Sequence, residues 1–504
     1  MARYYMGIDT GTYETKGVLL DEEGAVVAQA SAPHEPETPG PNQFENDAEG
    51  VWWRDFCLVS RELLRLAQVP CQEVACLGIS VMGPDVVAVD RQCRPLRKAI
   101  LYGIDSRAVQ EIAYLNEYYG RERAMELFGH PICSDDAAAK ILWIKNNEPE
   151  VHSRAYKFLT GTSYICAKLT GRYVIDQFLA KADFRPLYND SGRIDDEALL
   201  YCRKDQLAET APAHAVAGFL TEEAAQATGL AAGTPVNVGT GDSAAESISC
   251  GVVQPGNMMI QLGSTMFVYY CSSRRVVNDC IHGGDFVVPG TYKLSAGTNT
   301  AGTLTRYLRD NFYPDLVAAE KGGGENAYSA MAKRAGRIPA GSEGLILLPY
   351  LAGERSPIQD PEAKGMVFGL TLAHTRDHLL RAGLEGVAFS ARQIVDAIDG
   401  CQLPVHQIMV VGGGSRNPVW LQILADVLGR PVSTPKVPLG ACYGDGLMAM
   451  MAAGALGDFQ ALGRMVAPGE RFLPQPENRQ LYDRYGKIYA DLYRNTRDQM
   501  HLLP

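Results

Sequence analysis

Two carboxylates stand at glycine turns in this chain of 504 residues: Asp9 in Gly7-Ile8-Asp9-Thr10-Gly11-Thr12, and Asp242 in Gly239-Thr240-Gly241-Asp242. An aspartate at a strand end can hold a hydrated divalent cation, and the amides of Thr10 to Thr12 beside it would be free to meet anionic oxygens. At a strand-to-helix turn, Asp242 can project into a cleft. The pair suits phosphoryl transfer to an alcohol, one carboxylate positioning metal and the other accepting the hydroxyl proton. Paired carboxylates also serve glycoside hydrolysis. Each aspartate has a plainer reading as well, a polar hairpin turn for Asp9 and a helix N-cap for Asp242.

Glycine turns elsewhere weigh towards the phosphate reading. Ile408 to Val411 runs into Gly412-Gly413-Gly414-Ser415-Arg416-Asn417, with Pro418 opening a helix. Consecutive glycines let a backbone lie flat against a planar ligand, so this turn suits a nucleotide. It is not a P-loop, since no Gly-x4-Gly-Lys-Ser/Thr exists, nor a good dinucleotide fingerprint, since Asn417 stands where the third glycine belongs. His374 and His378 lie four apart without the glutamate of a zincin motif and read as the solvated start of a helix. Ser264 has no base near it in sequence and no Gly-x-Ser-x-Gly elbow, which disfavours serine nucleophile chemistry.

The elements that must carry these residues follow α/β patterning. Tyr4 to Thr10, Gly17 to Leu20 and Ala25 to Ala28 read as an antiparallel meander, Ala75 to Ser80 and Val86 to Asp90 as further strands, and Ala137 to Asn146 as a helix. Pro33 to Asn46 reads as a long surface loop, followed by a helix from Trp52-Trp53 to Leu66. Met258 to Leu262, the turn Gly263-Ser264-Thr265 and Met266 to Cys271 repeat the opening device of strand, small polar turn and strand. Two such hairpins facing each other would grip one polyphosphate from both sides. The domain boundary falls just after the Asp242 turn, giving residues 1–245 and 246–504.

A net charge of −11 argues against nucleic acid and acidic membrane surfaces and favours a small-molecule substrate. The 12 cysteines include no Cys-x-x-Cys pair, and several lie in apolar runs (Cys76, Cys166, Cys250, Cys271), so buried thiols are expected and structural zinc is not. No apolar stretch of about 18 residues and no charged leader is present, which predicts a soluble cytoplasmic protein.

In their order and spacing the motifs resemble the FGGY family of carbohydrate kinases, a branch of the actin-like and hexokinase-like ATP-binding fold. The resemblance covers essentially the whole chain. It is carried by the Asp9 turn, Lys140-x-x-Trp143 with Asn147-Glu148-Pro149, Lys168-Leu169-Thr170-Gly171, Gly241-Asp242 and Gly263-Ser264-Thr265. Leu348-Pro349-Tyr350-Leu351-x-Gly353-Glu354-Arg355, Gly365-x-x-x-Gly369-Leu370, Leu384-Glu385-Gly386, Gly412-Gly413-Gly414-Ser415 and Gly440-Ala441 complete it. It implies two actin-like (ribonuclease H-like) domains with mixed sheets flanked by helices and a cleft between them, the first for the sugar and catalytic base, the second for nucleotide. It implies ATP and Mg2+, with Asp242 as catalytic base and Asp9 at the metal and phosphates. Thr10, Gly11, Thr12, Thr15 and Lys16 would line the first phosphate turn, Gly263 and Ser264 the second, and Gly302, Gly413, Gly414 and Asn417 would contact the nucleotide.

Departures from the family pattern fall on the substrate side. Xylulose kinases carry Gln-Met-His where this chain has Met82-Gly83-Pro84, so Met82, Gly83 and the following Asp85 are the candidate sugar contacts. The family's Trp-x-Asp-x-Arg element is one residue longer here, as Tyr102 to Arg107, which brings in Asp105 and Arg107. Asp135 and Ala137 replace the usual serine and proline near Lys140. The chain is similar to an outlying, xylulokinase-like member acting on a pentulose, with another polyol, a hexulose or a sugar acid as the nearest alternative. A nucleotide-binding regulator and an actin-type filament protein are the alternatives from other classes. The expected partners are a small sugar, no nucleic acid and no membrane, with a homodimer left open.

Overall fold

The computed structural model describes residues 3–276, 278 and 280–503. They form two compact units, the first made of 1–253, 284–292 and 439–466 and the second of 254–283, 293–438 and 467–504. The first unit thus includes Leu439–Val466, which a single cut after residue 245 leaves on the other side.

In the first unit the mixed sheet runs in the order Val216–Phe219, Pro235–Asn237, Val74–Val81, Tyr4–Thr10, Glu14–Leu20, Val26–Pro33, with Thr240–Gly241 also pairing to Val74–Val81. The expected meander is present, and Val74–Val81 joins it in parallel. Tyr4–Thr10 is buried along nearly its whole length because helices cover both faces of the sheet. One is Arg54–Ala67, which buries Phe56, Val59 and Leu63 on one stripe. It begins after a π-helical turn at Ala48–Trp53, so the predicted helix start at Trp52 falls inside that turn.

The other is Ala441–Ala452, and its approach is set by glycine. A Cβ on Gly7 would lie 2.1 Å from the Cys442 carbonyl, and one on Gly78 would lie 2.0 Å from the Asp445 carbonyl. With no side chains between them, helix backbone rests directly on strand backbone.

The second unit repeats the plan. Its strands follow the order Tyr292–Thr298, Met266–Ser272, Asn257–Leu262, Gln407–Val411, Val432–Pro435, Pro468–Phe472. An antiparallel hairpin, two parallel neighbours and an antiparallel edge recur in the same sequence of pairings. The repeat read from the two hairpins is therefore a repeat of whole sheets. Its core joins Ile260, Leu262 and Val268 to the helices Arg376–Gly400 and Pro418–Leu428. His378, expected on a solvated face, is buried at the first of these helices, where Thr375 Oγ1 meets its Nδ1 at 2.9 Å. All 12 cysteines are free thiols. Among the described residues no helix is long and apolar enough to cross a membrane.

Candidate active site

Parallel register places the first unit's acids at the carboxyl ends of adjacent strands, where open α/β sheets bind ligands. Asp9 is level with Ser80, Ser80 is level with Thr240, and Asp242 begins the helix Asp242–Ser249 two residues later. Ser80 Oγ lies 2.9 Å from Asp9 Oδ1 and 2.6 Å from Oδ2 of Asp445, a residue delivered by the glycine-packed helix Ala441–Ala452. Oδ1 of Asp445 is buried without a hydrogen-bond partner, as are the Thr10 and Thr15 hydroxyls.

This cluster is electrostatically loaded. Burial pushes Asp9 well above the usual carboxylate range, and repulsion from Asp242 and Glu246 adds to it against the opposing Ser80 hydroxyl and Lys16. Burial likewise raises Asp445, with Asp9 as the next cause. Asp242 keeps some surface exposure, but the protein mass around its carboxyl raises it to about 6 against the opposing Ser243 N–H. That N–H donates to Asp242 Oδ1 at 2.7 Å. Carboxylates crowded in this way are stabilised by a cation.

The turn at Gly11 differs from expectation in one respect. The Gly11 N–H donates to the Glu14 carbonyl at 3.0 Å and closes the hairpin, so it is not free for an anion. His34 buttresses the same turn, with Nε2 2.9 Å from the Gly11 carbonyl and Nδ1 3.1 Å from Asp55 Oδ2. Thr12 Oγ1 meets the Tyr102 hydroxyl at 3.1 Å. Lys16 is half exposed and pairs with Glu14 at 3.2 Å.

Beside the acids lies a buried polar pair. Asp85 is fully buried and neither carboxylate oxygen makes a well-formed hydrogen bond; Lys140, 1% exposed, has an equally unpartnered Nζ. Burial raises Asp85 well above the usual range, Lys140 opposes that shift, and Asp242 adds to it. Burial lowers Lys140 in turn, against Asp135 and Asp85. Such groups are costly unless something satisfies them. Met82 is buried and its N–H donates to the Thr10 carbonyl at 2.9 Å, while a Cβ on Gly83 would lie 4.0 Å from the Leu179 side chain. Asp105 is different. Its two oxygens receive the Phe44 N–H and the Arg107 guanidinium and N–H, so no lone pair remains for a sugar.

In the second unit the predicted nucleotide segments converge. The Gly302 N–H donates to the Gly263 carbonyl at 2.9 Å, and the Ala301 and Thr303 N–H groups donate to the Ser264 carbonyl. Gly412, at φ 84°, packs so that a Cβ would lie 2.7 Å from the Leu262 carbonyl. Of the three consecutive glycines only Gly413 opens onto free space, since a Cβ on Gly414 would meet Leu262 at 2.7 Å. Asn417 caps the helix Pro418–Leu428 through the Trp420 N–H at 3.2 Å.

Sequence reading missed Asp445, Ser80 and His34, and gave Lys140 no role. The small-residue run Gly440-Ala441 through Gly444-Asp445-Gly446 was the available signal, an acid embedded in a helix built for close packing.

Residues 4–249 match the model of the FGGY family of carbohydrate kinases, N-terminal domain, and residues 258–453 that of its C-terminal domain. The chain is 28% identical over 507 residues to a gluconokinase of Bacillus subtilis, covering 99% of this chain and 97% of the relative. It is 31% identical over 438 residues to the xylulose kinase of Escherichia coli, covering 84% and 85%. The crystal structure of a xylulose kinase from Rhodospirillum rubrum superimposes with a TM-score of 0.87 at 30% identity, covering 99% of this chain and 100% of that one.

Proposed function

This chain belongs to the FGGY family of carbohydrate kinases, enzymes that phosphorylate sugars, and from that premise we propose an ATP-dependent kinase for a neutral polyhydroxy acceptor of the ketopentose class. The observation that carries the acceptor is the buried, unpartnered pair of Asp85 and Lys140 beside Asp242. Asp85 offers lone pairs to sugar hydroxyls and Lys140 offers protons to hydroxyl or carbonyl oxygens, so a polyol satisfies both. A sugar acid, the substrate class of the gluconokinase relatives, would add a negative charge beside Asp85, Asp242 and Asp9. It is the second reading because Lys140 offers a charge to meet it.

Asp242 serves as the general base in this reading, taking the proton of the attacking hydroxyl, a role that a carboxylate raised to about 6 fills near neutral pH. The crowded acids and the unpartnered oxygen of Asp445 fit a divalent cation of the magnesium class, held by Asp9 and supported by Ser80. When bound, magnesium neutralises charge on the phosphates in the transition state. Thr10, Thr12 and Thr15 present hydroxyls at the first phosphate turn, with Gly11 giving the backbone its sharp reversal and Lys16 a cation beside it. On the second unit Gly263, Ser264, Gly302 and Gly413 receive the nucleotide, while Gly414 and Asn417 shape that surface from behind. Asp105 acts by holding Arg107, and Met82 and Gly83 form the apolar floor of the acceptor site. The unit made of 1–253, 284–292 and 439–466 serves as the sugar and base domain and the other unit as the nucleotide domain, in a cytoplasmic enzyme.

A panel of pentuloses, hexuloses, polyols and aldonic acids, read by coupled ADP detection, tests the proposal. Turnover on ketopentoses well above the rest is expected. Preference for an aldonic acid would reassign Lys140, and ATP binding without product from any acceptor would leave a binding protein.

A further inference from the structure

The turn joining the first unit's helix Val109–Leu127 to the helix Ala137–Asn147 holds an imidazole, a thiol and a carboxylate together: the donor atoms of His130, Cys133 and Asp136 all lie within 4.8 Å of one another. We propose that these three residues form a site for a zinc-class divalent cation, separate from the phosphoryl-transfer chemistry.

Hydrogen bonds around the cluster orient its donor atoms. His130 Nδ1 lies 2.8 Å from the Pro131 carbonyl, which can only accept, so the ring carries its proton there. Nε2 then faces Asp136 Oδ1 at 3.7 Å, too long for a hydrogen bond. It is close to the edge of a tetrahedron around zinc, roughly 3.4 Å for metal–ligand bonds of about 2.1 Å. The other oxygen of Asp136 is occupied by the Cys133 N–H at 2.8 Å, which orients the carboxylate as outer partners do in metal sites.

The frame is also fixed in advance. Asn116 grips Ile132 from both sides, its Nδ2 donating to the carbonyl at 2.9 Å and its Oδ1 accepting from the N–H at 3.0 Å. Ser134 donates to the Gly103 carbonyl at 2.9 Å. Asp136 is buried while His130 and Cys133 keep partial exposure, which gives an entry path.

The donor set selects the metal. A thiolate with an imidazole suits zinc or cobalt and does not suit magnesium, which takes oxygen ligands. One thiolate and one carboxylate together neutralise a dication. Burial, with Asp136 and Asp135, keeps the Cys133 thiol protonated in the metal-free protein, so binding forms the sulfur–metal bond as the S–H proton leaves to solvent. A search for paired cysteines passes over such a site because it needs only one. Occupancy would clip the turn to the helix that carries Lys140.

The test is metal uptake by the full chain, which does not depend on its activity. After equilibration with zinc and removal of excess, elemental analysis should give one tightly held equivalent per chain. Cobalt should give the absorption of thiolate-to-metal charge transfer. Cys133→Ser should abolish that band, and Cys133→Ser and His130→Asn should each weaken binding by more than about a hundredfold, beyond the 10–100-fold that loss of an outer partner costs. A wild-type chain that retains no metal overturns the site, as does uptake that both variants share.

Discussion

Asp9 and Asp445, near opposite ends of the chain, address a single hydroxyl: Ser80 Oγ lies 2.9 Å from one carboxylate and 2.6 Å from the other. A serine has one proton to give. Only one acid can receive it, and the second contact needs a proton of its own. Ser80→Ala leaves both buried carboxylates without this mediator. It should cost about 1–3 kcal/mol of stability, the penalty for unsatisfied buried groups, measured by denaturant unfolding. Unchanged stability would mean that the two acids do not depend on the hydroxyl.

Asp242→Asn should leave nucleotide affinity nearly intact and lower kcat by about a hundredfold or more, the range lost with a general base. The wild-type rate should fall as pH drops through about 6, because the base works only when ionised. A flat profile between pH 5 and 8, or full activity in the variant, removes the carboxylate from that role.

Asp85→Asn keeps the shape of the side chain and replaces one acceptor oxygen beside Lys140 with a donor. Leaving a buried polar partner unsatisfied costs about 1–3 kcal/mol and should raise the acceptor KM by roughly 10- to 100-fold. The KM for ATP should stay the same. Steady-state kinetics with each substrate varied in turn separates this outcome from general damage, which moves both constants.

Four acids enclosed by protein push stability the same way with pH. Burial raises Asp176 and Glu354 to about 7, and Asp136 and Asp242 to about 6. Each therefore binds a proton more tightly folded than unfolded, so folding is favoured as pH falls through these values towards the unfolded pKa. The melting temperature should be higher at pH 5.5 than at pH 8, by calorimetry. A melting temperature that rises steadily over the same interval would contradict the burial of these acids.

Much of this was legible in the sequence because it is local. An apolar run, a polar turn and a second run specify a hairpin wherever they occur, so the meander from Tyr4, the repeat from Asn257 and the acids at their turns could be read directly. What could not be read depends on the exact geometry of a turn or on partners distant in the chain. The Gly11 amide is spent on Glu14 by the geometry of the turn, and Asp105 is consumed by Arg107 and Phe44. Asp445 reaches Ser80 because bare backbone at Gly7 and Gly78 admits the helix, a three-element contact that no periodicity encodes.

That helix belongs to Leu439–Val466, which completes the first unit from late in the polymer. On the ribosome, the opening strands must therefore wait with one face of their sheet uncovered until that segment emerges. At roughly 5–20 residues per second the delay is tens of seconds. During that interval the nascent chain is a client for chaperones, and a fragment ending near residue 253 keeps the same bare face permanently.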